Sequence, residues 1–130
     1  MAARNCWLHS TDMTQITGFV FPGQGSQQVG MLSELTEKYS VARETFTEAS
    51  EVLGFDLAGM IANGPAEQLN ETANTQPALL AAGVAVWRVW ESLGGARPAC
   101  MAGHSLGEYT ALVCAGAIDF ADGLKIVRLR

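Results

Sequence analysis

The hydrophobic and polar positions of the chain form two short apolar runs, separated and followed by segments with helical spacing. The runs, residues 17–21 (TGFVF) and 99–102 (ACMA), have the length of buried strands. Helical spacing extends over residues 29–53, 57–62, 66–70 and 76–93 between the runs, and over 106–115 and 120–130 after the second. This order of elements predicts an α/β fold with a parallel sheet.

Residue types at the segment boundaries support these predicted helices. Gly54 stands where the first long helix should end, and Asp56 stands where a side-chain cap should begin the next. Pro65 and Pro77 are each predicted in a first helical turn, where a missing N–H is tolerated. Two strands are too few for a buried parallel sheet, and helical spacing reaches Arg130 without a cap, so we expect the fold to continue beyond it.

Composition and charge exclude two classes of partner. Of the 130 residues, 48% are hydrophobic and 16% are charged, which is ordinary for a soluble globular domain. The net charge is −5 and no basic run occurs, so nucleic acid is not an expected partner. The longest apolar stretch, residues 78–90, is interrupted by Arg88 and is shorter than the ~20 residues of a membrane span. No membrane association is therefore expected.

The cysteines and the first residues bear on location and boundaries. Cys6, Cys100 and Cys114 are widely spaced, which predicts free thiols in the cytoplasm and no metal site. The apolar sequence around Cys100 and Cys114 predicts that both lie in the core. Residues 1–12 lack periodicity and precede a second methionine, so we expect them to be a disordered leader or an alternative start. Residues 13–130 are then expected to form the N-terminal portion of a larger domain.

The segment Gly103-His104-Ser105-Leu106-Gly107 matches the GxSxG pattern of a nucleophile elbow. It lies between a predicted strand and a predicted helix, as that motif requires, and the helix would direct free N–H groups toward an oxyanion. The pattern also fits a capping box, in which Ser105 would cap the helix and Glu108 would reach back. The pattern therefore predicts a nucleophilic serine, with a helix cap as the alternative.

Two segments together identify a family resemblance. Residues 21–27 (FPGQGSQ) and 103–109 (GHSLGEY) closely resemble the malonyl-CoA:acyl carrier protein transacylases of fatty acid synthesis. Residues 75–78 (TQPA) and 114–120 (CAGAIDF) also look like that family's sequence. The resemblance implies an α/β-hydrolase-like acyltransferase large domain with a parallel sheet, truncated before the family's small domain. It covers well under half of a complete family member.

The resemblance also implies roles for individual residues. Ser105 would carry the malonyl group between the substrate malonyl-CoA and acyl carrier protein, and the reaction would use no cofactor. The backbone N–H groups of Gln24 and Leu106 would form the oxyanion hole. Arg130 would bind the free carboxylate of malonate, although an arginine at a helix end is more often a solvated cation. His104 would line the site or serve only for packing.

One catalytic part of the family is missing from the sequence. The family's general base is a histidine that lies well downstream of the helix containing Arg130. Neither His9 nor His104 matches its position. Because a serine hydroxyl is a poor nucleophile without a base, we expect little or no transacylase activity from these 130 residues alone.

Three alternatives remain beside this interpretation. A serine esterase would also carry GxSxG, but it should have an upstream HGGG-type loop, which the sequence lacks. An acyltransferase domain of a polyketide or multifunctional fatty acid synthase shares both motifs, although the short distance from Met13 to the first strand favours a free-standing enzyme. A non-catalytic segment that binds acyl carrier protein is disfavoured because no basic patch would attract that acidic partner.

Overall fold

The structure, a computed structural model, describes residues 16–130 as helices packed on a short parallel sheet. Its elements in chain order are β1 (Gly18–Phe21), α1 (Ser33–Lys38), α2 (Ser40–Leu53), α3 (Leu57–Asn63), α4 (Ala66–Leu69), α5 (Thr72–Ser92), β2 (Cys100–Gly103), α6 (Leu106–Cys114) and α7 (Phe120–Leu129). The predicted leader, residues 1–12, lies outside the described residues, as do Cys6 and His9. None of the described helices is long and apolar enough to cross a membrane.

The sheet joins the two strands that the sequence predicts. Strands β1 and β2 run parallel, with Gly18 opposite Cys100 and Phe21 opposite Gly103. The pairing continues by one bond, from the N–H of His104 to the carbonyl oxygen of Phe21, at 3.2 Å. Since parallel strands end at the same edge, the segments that follow Phe21 and Gly103 leave the sheet side by side.

Helix α5 forms the centre of the core. Its side chains are buried along most of its length, and it contacts α2, α6 and α7. Phe19 of β1 packs edge-on against Trp87 and Trp90 of α5, with ring centroids 5.4 and 5.5 Å apart. Burial of a leucine such as Leu80, which has no exposed surface, contributes about 1.5–3 kcal/mol to folding. The sheet therefore rests on a rigid helix.

Two of the predicted helix boundaries are confirmed by cap geometry. Gly54 follows α2 in the left-handed conformation, with φ 75°, and its N–H donates to the carbonyl oxygen of Ser50. Asp56 precedes α3, and its Oδ1 accepts a hydrogen bond from the N–H of Gly59 at 2.8 Å. Both signals depend on atoms within four residues of each other along the chain, which is why the sequence shows them.

Two helix predictions are wrong. The single helix predicted over residues 29–53 is interrupted at Tyr39, which is extended with φ −121° and ψ 120°. The long helix begins at Thr72 instead of residue 76, so Pro77 lies inside α5. The helix starts earlier because the carbonyl oxygen of Glu71 accepts from the N–H groups of Asn74 and Thr75. Burial of Pro77 in the core offsets the hydrogen bond that its missing N–H would have made.

The cysteine prediction is half right. Cys114 is buried, and burial is the main cause that raises its pKa to about 12; Glu91 raises it further and Arg88 lowers it. Cys100 is exposed, which contradicts the predicted core position. It lies at the first position of β2, a strand whose side chains alternate between exposed and partly buried. Apolar sequence neighbours did not reveal this, because exposure depends on what covers the strand.

Candidate active site

Ser105 occupies a strained turn between β2 and α6. Its backbone has φ 54° and ψ −107°, a region that residues with a Cβ rarely adopt. Such a conformation costs about 1–3 kcal/mol and persists only where the surrounding structure enforces it. The turn leaves the Ser105 side chain exposed at the end of the sheet, as a nucleophile elbow requires.

The two glycines of GxSxG are required by steric contact. A Cβ added to Gly103 would lie 1.9 Å from the carbonyl carbon of Gly107. A Cβ added to Gly107 would lie 2.1 Å from the carbonyl oxygen of Phe21, at the end of the neighbouring strand. The first helix turn of α6 therefore packs backbone against backbone on both strands, which places Ser105 at their common edge.

The Ser105 hydroxyl does not cap α6, so the capping alternative is wrong. The helix has no side-chain cap bond from Ser105. Its Oγ instead accepts a hydrogen bond from Nη2 of Arg130 at 2.8 Å, and the guanidinium also lies over the ring of Tyr109, 5.4 Å from its centroid. The structure thus brings together the predicted nucleophile and the predicted carboxylate-binding arginine, which are 25 residues apart in sequence.

The N–H groups near Ser105 differ in whether they are free to bind an oxyanion. Those of Gly107 and Glu108 already donate to the carbonyl oxygens of His104 and Ser105, at 2.9 and 3.1 Å. The N–H of Leu106, the first residue of α6, has no hydrogen-bond acceptor among the described residues. The Leu106 side chain is buried, which fixes the backbone. A free N–H at a helix N-terminus, directly after the serine, is suited to stabilise negative charge.

The loop after β1 packs directly against the elbow. A Cβ added to Gly23 would lie 2.9 Å from the carbonyl oxygen of His104 and 3.2 Å from its Nδ1. The next residue, Gln24, is exposed, and its N–H has no acceptor within residues 16–130. The predicted oxyanion residues Gln24 and Leu106 therefore lie on adjoining backbone segments. His104 is exposed beside this loop.

Sequence reasoning missed the residues that hold this loop. Nε2 of Gln24 donates to Oγ1 of Thr72 at 3.1 Å, and Oε1 of Gln24 accepts from Nε2 of Gln76 at 3.5 Å. Further along, Nε2 of Gln27 donates to Oδ1 of Asn70 at 2.8 Å. These partners are 43 to 52 residues away. The one sequence signal for these contacts was the TQPA segment, residues 75–78, because it contains Gln76.

Two other expectations concern a histidine partner of Ser105 and a metal site. Within the described part of the chain, the hydrogen-bond partner of the Ser105 hydroxyl is Arg130, and no imidazole is bonded to it. Over the same range, no group of three or more His, Cys, Asp or Glu side chains could hold a metal ion. Within residues 16–130, the structure therefore pairs the predicted nucleophile with the predicted carboxylate-binding cation.

Known proteins resemble this chain over most of its described length. The family described as "Acyl transferase domain" matches residues 18–130. The malonyl CoA-acyl carrier protein transacylase of Salmonella typhimurium is 62% identical over 118 residues, covering 91% of this chain and 38% of the relative. The Escherichia coli K12 transacylase is 61% identical over the same length. The predicted resemblance is therefore confirmed.

Solved structures agree. An acyl carrier protein S-malonyltransferase from Vibrio cholerae has a TM-score of 0.86 and 64% identity, covering 87% of this chain and 37% of that one. A malonyl-transacylase solved in complex with a type II PKS acyl-carrier protein has a TM-score of 0.85 and 59% identity, covering 86% and 36%. This chain spans little more than a third of the length of these relatives, and it belongs to the acyl transferase domain family.

Proposed function

We propose that this chain provides the nucleophile, the oxyanion hole and the carboxylate-binding arginine of a malonyltransferase. The enzyme would transfer malonyl from malonyl-CoA to the phosphopantetheine thiol of acyl carrier protein, in fatty acid synthesis and in the cytoplasm. The observation that carries the proposal is the hydrogen bond between Arg130 and Ser105 on a strained elbow. An acyl group on Ser105 would lie within reach of a guanidinium that is suited to a second, free carboxylate.

The residues support a two-step exchange. Oγ of Ser105 attacks the thioester carbonyl carbon while its proton passes to a base, and the oxygen that becomes negative is stabilised by the N–H groups of Gln24 and Leu106. The C–S bond then breaks, and the CoA thiolate takes up the proton. In the second step the carrier-protein thiol attacks the malonyl-serine ester, and Ser105 leaves and recovers a proton. The resemblance assigns the base to a histidine beyond Arg130, and no cofactor is needed.

Two alternatives bear on this proposal. The transacylase bound to a type II PKS acyl-carrier protein favours a polyketide carrier protein as a second candidate acceptor. Acceptor assays with a fatty-acid and a polyketide carrier protein separate the two. The esterase alternative would require hydrolysis of the acyl-serine by water, which the same assay detects as free malonate.

The test uses a completed chain, in which residues 1–130 are joined to the part of the Salmonella relative that the match leaves uncovered. It is incubated with radiolabelled malonyl-CoA, denatured, and analysed for covalent label. We expect label on the completed chain, none on its Ser105→Ala variant, and little or none on residues 1–130 alone. A folded completed chain that stays unlabelled, while the intact Salmonella enzyme is labelled, would refute the proposal.

A further inference from the structure

Gln76 combines deep burial with an unused hydrogen-bonding atom. Its side chain is 6% exposed, in the second turn of α5. Its Oε1 is buried and has no hydrogen-bond partner among residues 16–130. A buried acceptor without a donor destabilises the fold, so a methionine or leucine would suit this position better for packing alone. The amide of Gln76 therefore needs an explanation other than core packing.

The other end of that amide faces Gln24. Nε2 of Gln76 donates to Oε1 of Gln24, and Oγ1 of Thr72, one helical turn earlier on α5, accepts from Nε2 of Gln24. Turning both glutamine amides reverses the donors and acceptors but keeps both contacts, because the Thr72 hydroxyl can also donate. In either orientation, the Gln24 side chain is held on one helix by a 3.1 Å hydrogen bond to Thr72 and a longer, 3.5 Å contact with Gln76, and Gln76 keeps one unpaired atom among residues 16–130.

The Gln24 backbone is thereby held from both sides. Gly23, on one side, packs against the carbonyl oxygen of His104 with no space for a Cβ. The Gln24 side chain, on the other side, is bound to α5, which the core makes rigid. Because Gly23 and the Gln24 side chain are both fixed, the direction of the Gln24 backbone N–H between them is fixed as well.

We infer that Thr72 and Gln76 are positioning residues that direct the Gln24 N–H toward the oxyanion formed at Ser105. The inference rests on the proposed function. Neither side chain needs to touch the substrate, because both act through Gln24. The buried amide of Gln76 is then explained by its contact with Gln24, and its oxygen is unpaired within residues 16–130.

The inference separates activity from stability, which ordinary core residues do not. Gln76→Met keeps the length of the side chain, removes the contact with Gln24 and removes the unpaired oxygen. In the completed chain we expect the single-turnover rate of Ser105 acylation at saturating malonyl-CoA to fall about 10- to 100-fold, less than the loss of a whole oxyanion donor. The half-saturating concentration should stay unchanged, and circular dichroism should show that the variant remains folded.

Thr72 offers a matched pair on an exposed position, where folding is not at risk. Thr72→Val removes the hydroxyl and keeps the shape, and we expect it to slow acylation in the same way. Thr72→Ser keeps the hydroxyl and should retain the parental rate. Parental rates in both Thr72→Val and Gln76→Met would overturn the inference, as would a change confined to the half-saturating concentration.

A second measurement does not depend on acylation. Backbone ¹⁵N relaxation of Gln24 in the completed chain should show increased motion in Thr72→Val and Gln76→Met but not in Thr72→Ser. Unchanged motion in the first two variants would overturn the inference even if the parent protein is never labelled. An unlabelled parent with the expected changes in motion would instead refute the malonyltransferase proposal and leave the positioning of Gln24 supported.

Discussion

Replacing Ser105 with glycine is expected to give a more stable protein than replacing it with alanine, the reverse of the usual order. The reason is the backbone conformation of the elbow, with φ 54° and ψ −107°. A residue with a Cβ is strained there, and glycine is not. Both variants lose the hydrogen bond from Arg130, so that loss cancels when the two are compared with each other.

The magnitude follows from two opposing effects. The strain at Ser105 costs about 1–3 kcal/mol, and alanine keeps it whereas glycine releases it. Glycine also gives the unfolded chain more freedom, which disfavours folding by about 0.4–1 kcal/mol relative to alanine. The midpoints of the two ranges, about 2 and about 0.7 kcal/mol, leave the glycine variant about 1.3 kcal/mol more stable, a shift of about 2–4 °C in the unfolding midpoint.

Urea unfolding of the completed chain, followed by circular dichroism and tryptophan fluorescence, measures this difference. Ala62→Gly is the control, because Ala62 is exposed within α3, where the substitution should cost about 1 kcal/mol. A Ser105→Gly variant equal to or less stable than Ser105→Ala would show that the elbow holds no strain. The strained backbone would then not be what distinguishes the GxSxG turn.

Three further predictions concern the elbow, the thiols and selectivity. Gly103→Ala should destabilise the fold by at least about 3 kcal/mol in urea unfolding, whereas Gly18→Ala, whose nearest neighbour is the side chain of Cys100, should cost much less. Peptide mapping after treatment with iodoacetamide at pH 8 should find Cys100 modified and Cys114 unmodified. Because the folded state holds the Cys114 proton more tightly than the unfolded state does, the free energy of unfolding should fall as the pH rises from 9.0 toward about 12. Arg130→Ala should slow malonyl loading of the completed chain roughly 100-fold without slowing acetyl loading, and Arg130→Lys should restore it only partly.

Features with local signals could be read from the sequence. The end of α2 follows from a glycine with positive φ, Gly54, and the start of α3 follows from a carboxylate cap, Asp56. The local part of the elbow could be predicted, because a Cβ on Gly103 would meet the backbone of Gly107 four residues later; the contact of Gly107 with Phe21 shows only in the fold. In each case the atoms that decide the conformation lie within five residues, so the pattern of residue types carries the information.

Features decided by atoms more than five residues apart could not be read from the sequence. The interruption at Tyr39 has no proline or glycine; there, the Arg43 guanidinium donates to the carbonyl oxygens of Thr36 and Glu37, which lets α1 end. The exposure of Cys100 depends on what covers β2. Only the folded chain shows that the TQPA segment contacts Gln24, in the loop after β1, through Gln76.

The parallel register connects the fold to the chemistry. Phe21 and Gly103 are paired as the last residues of their strands, so the loop after β1, which contains Gln24, and the elbow start from the same level of the sheet. A slip of one residue would displace Gln24 from Ser105 by about 3.3 Å, so the N–H groups of Gln24 and Leu106 could no longer form the proposed oxyanion hole. Two glycine contacts prevent this slip, since Gly107 lies against the carbonyl of Phe21 and Gly23 against that of His104. The glycines of the two motifs therefore set the strand register as well as the backbone of the site, and a substitution that shifts the register should abolish acylation even where the sheet still forms.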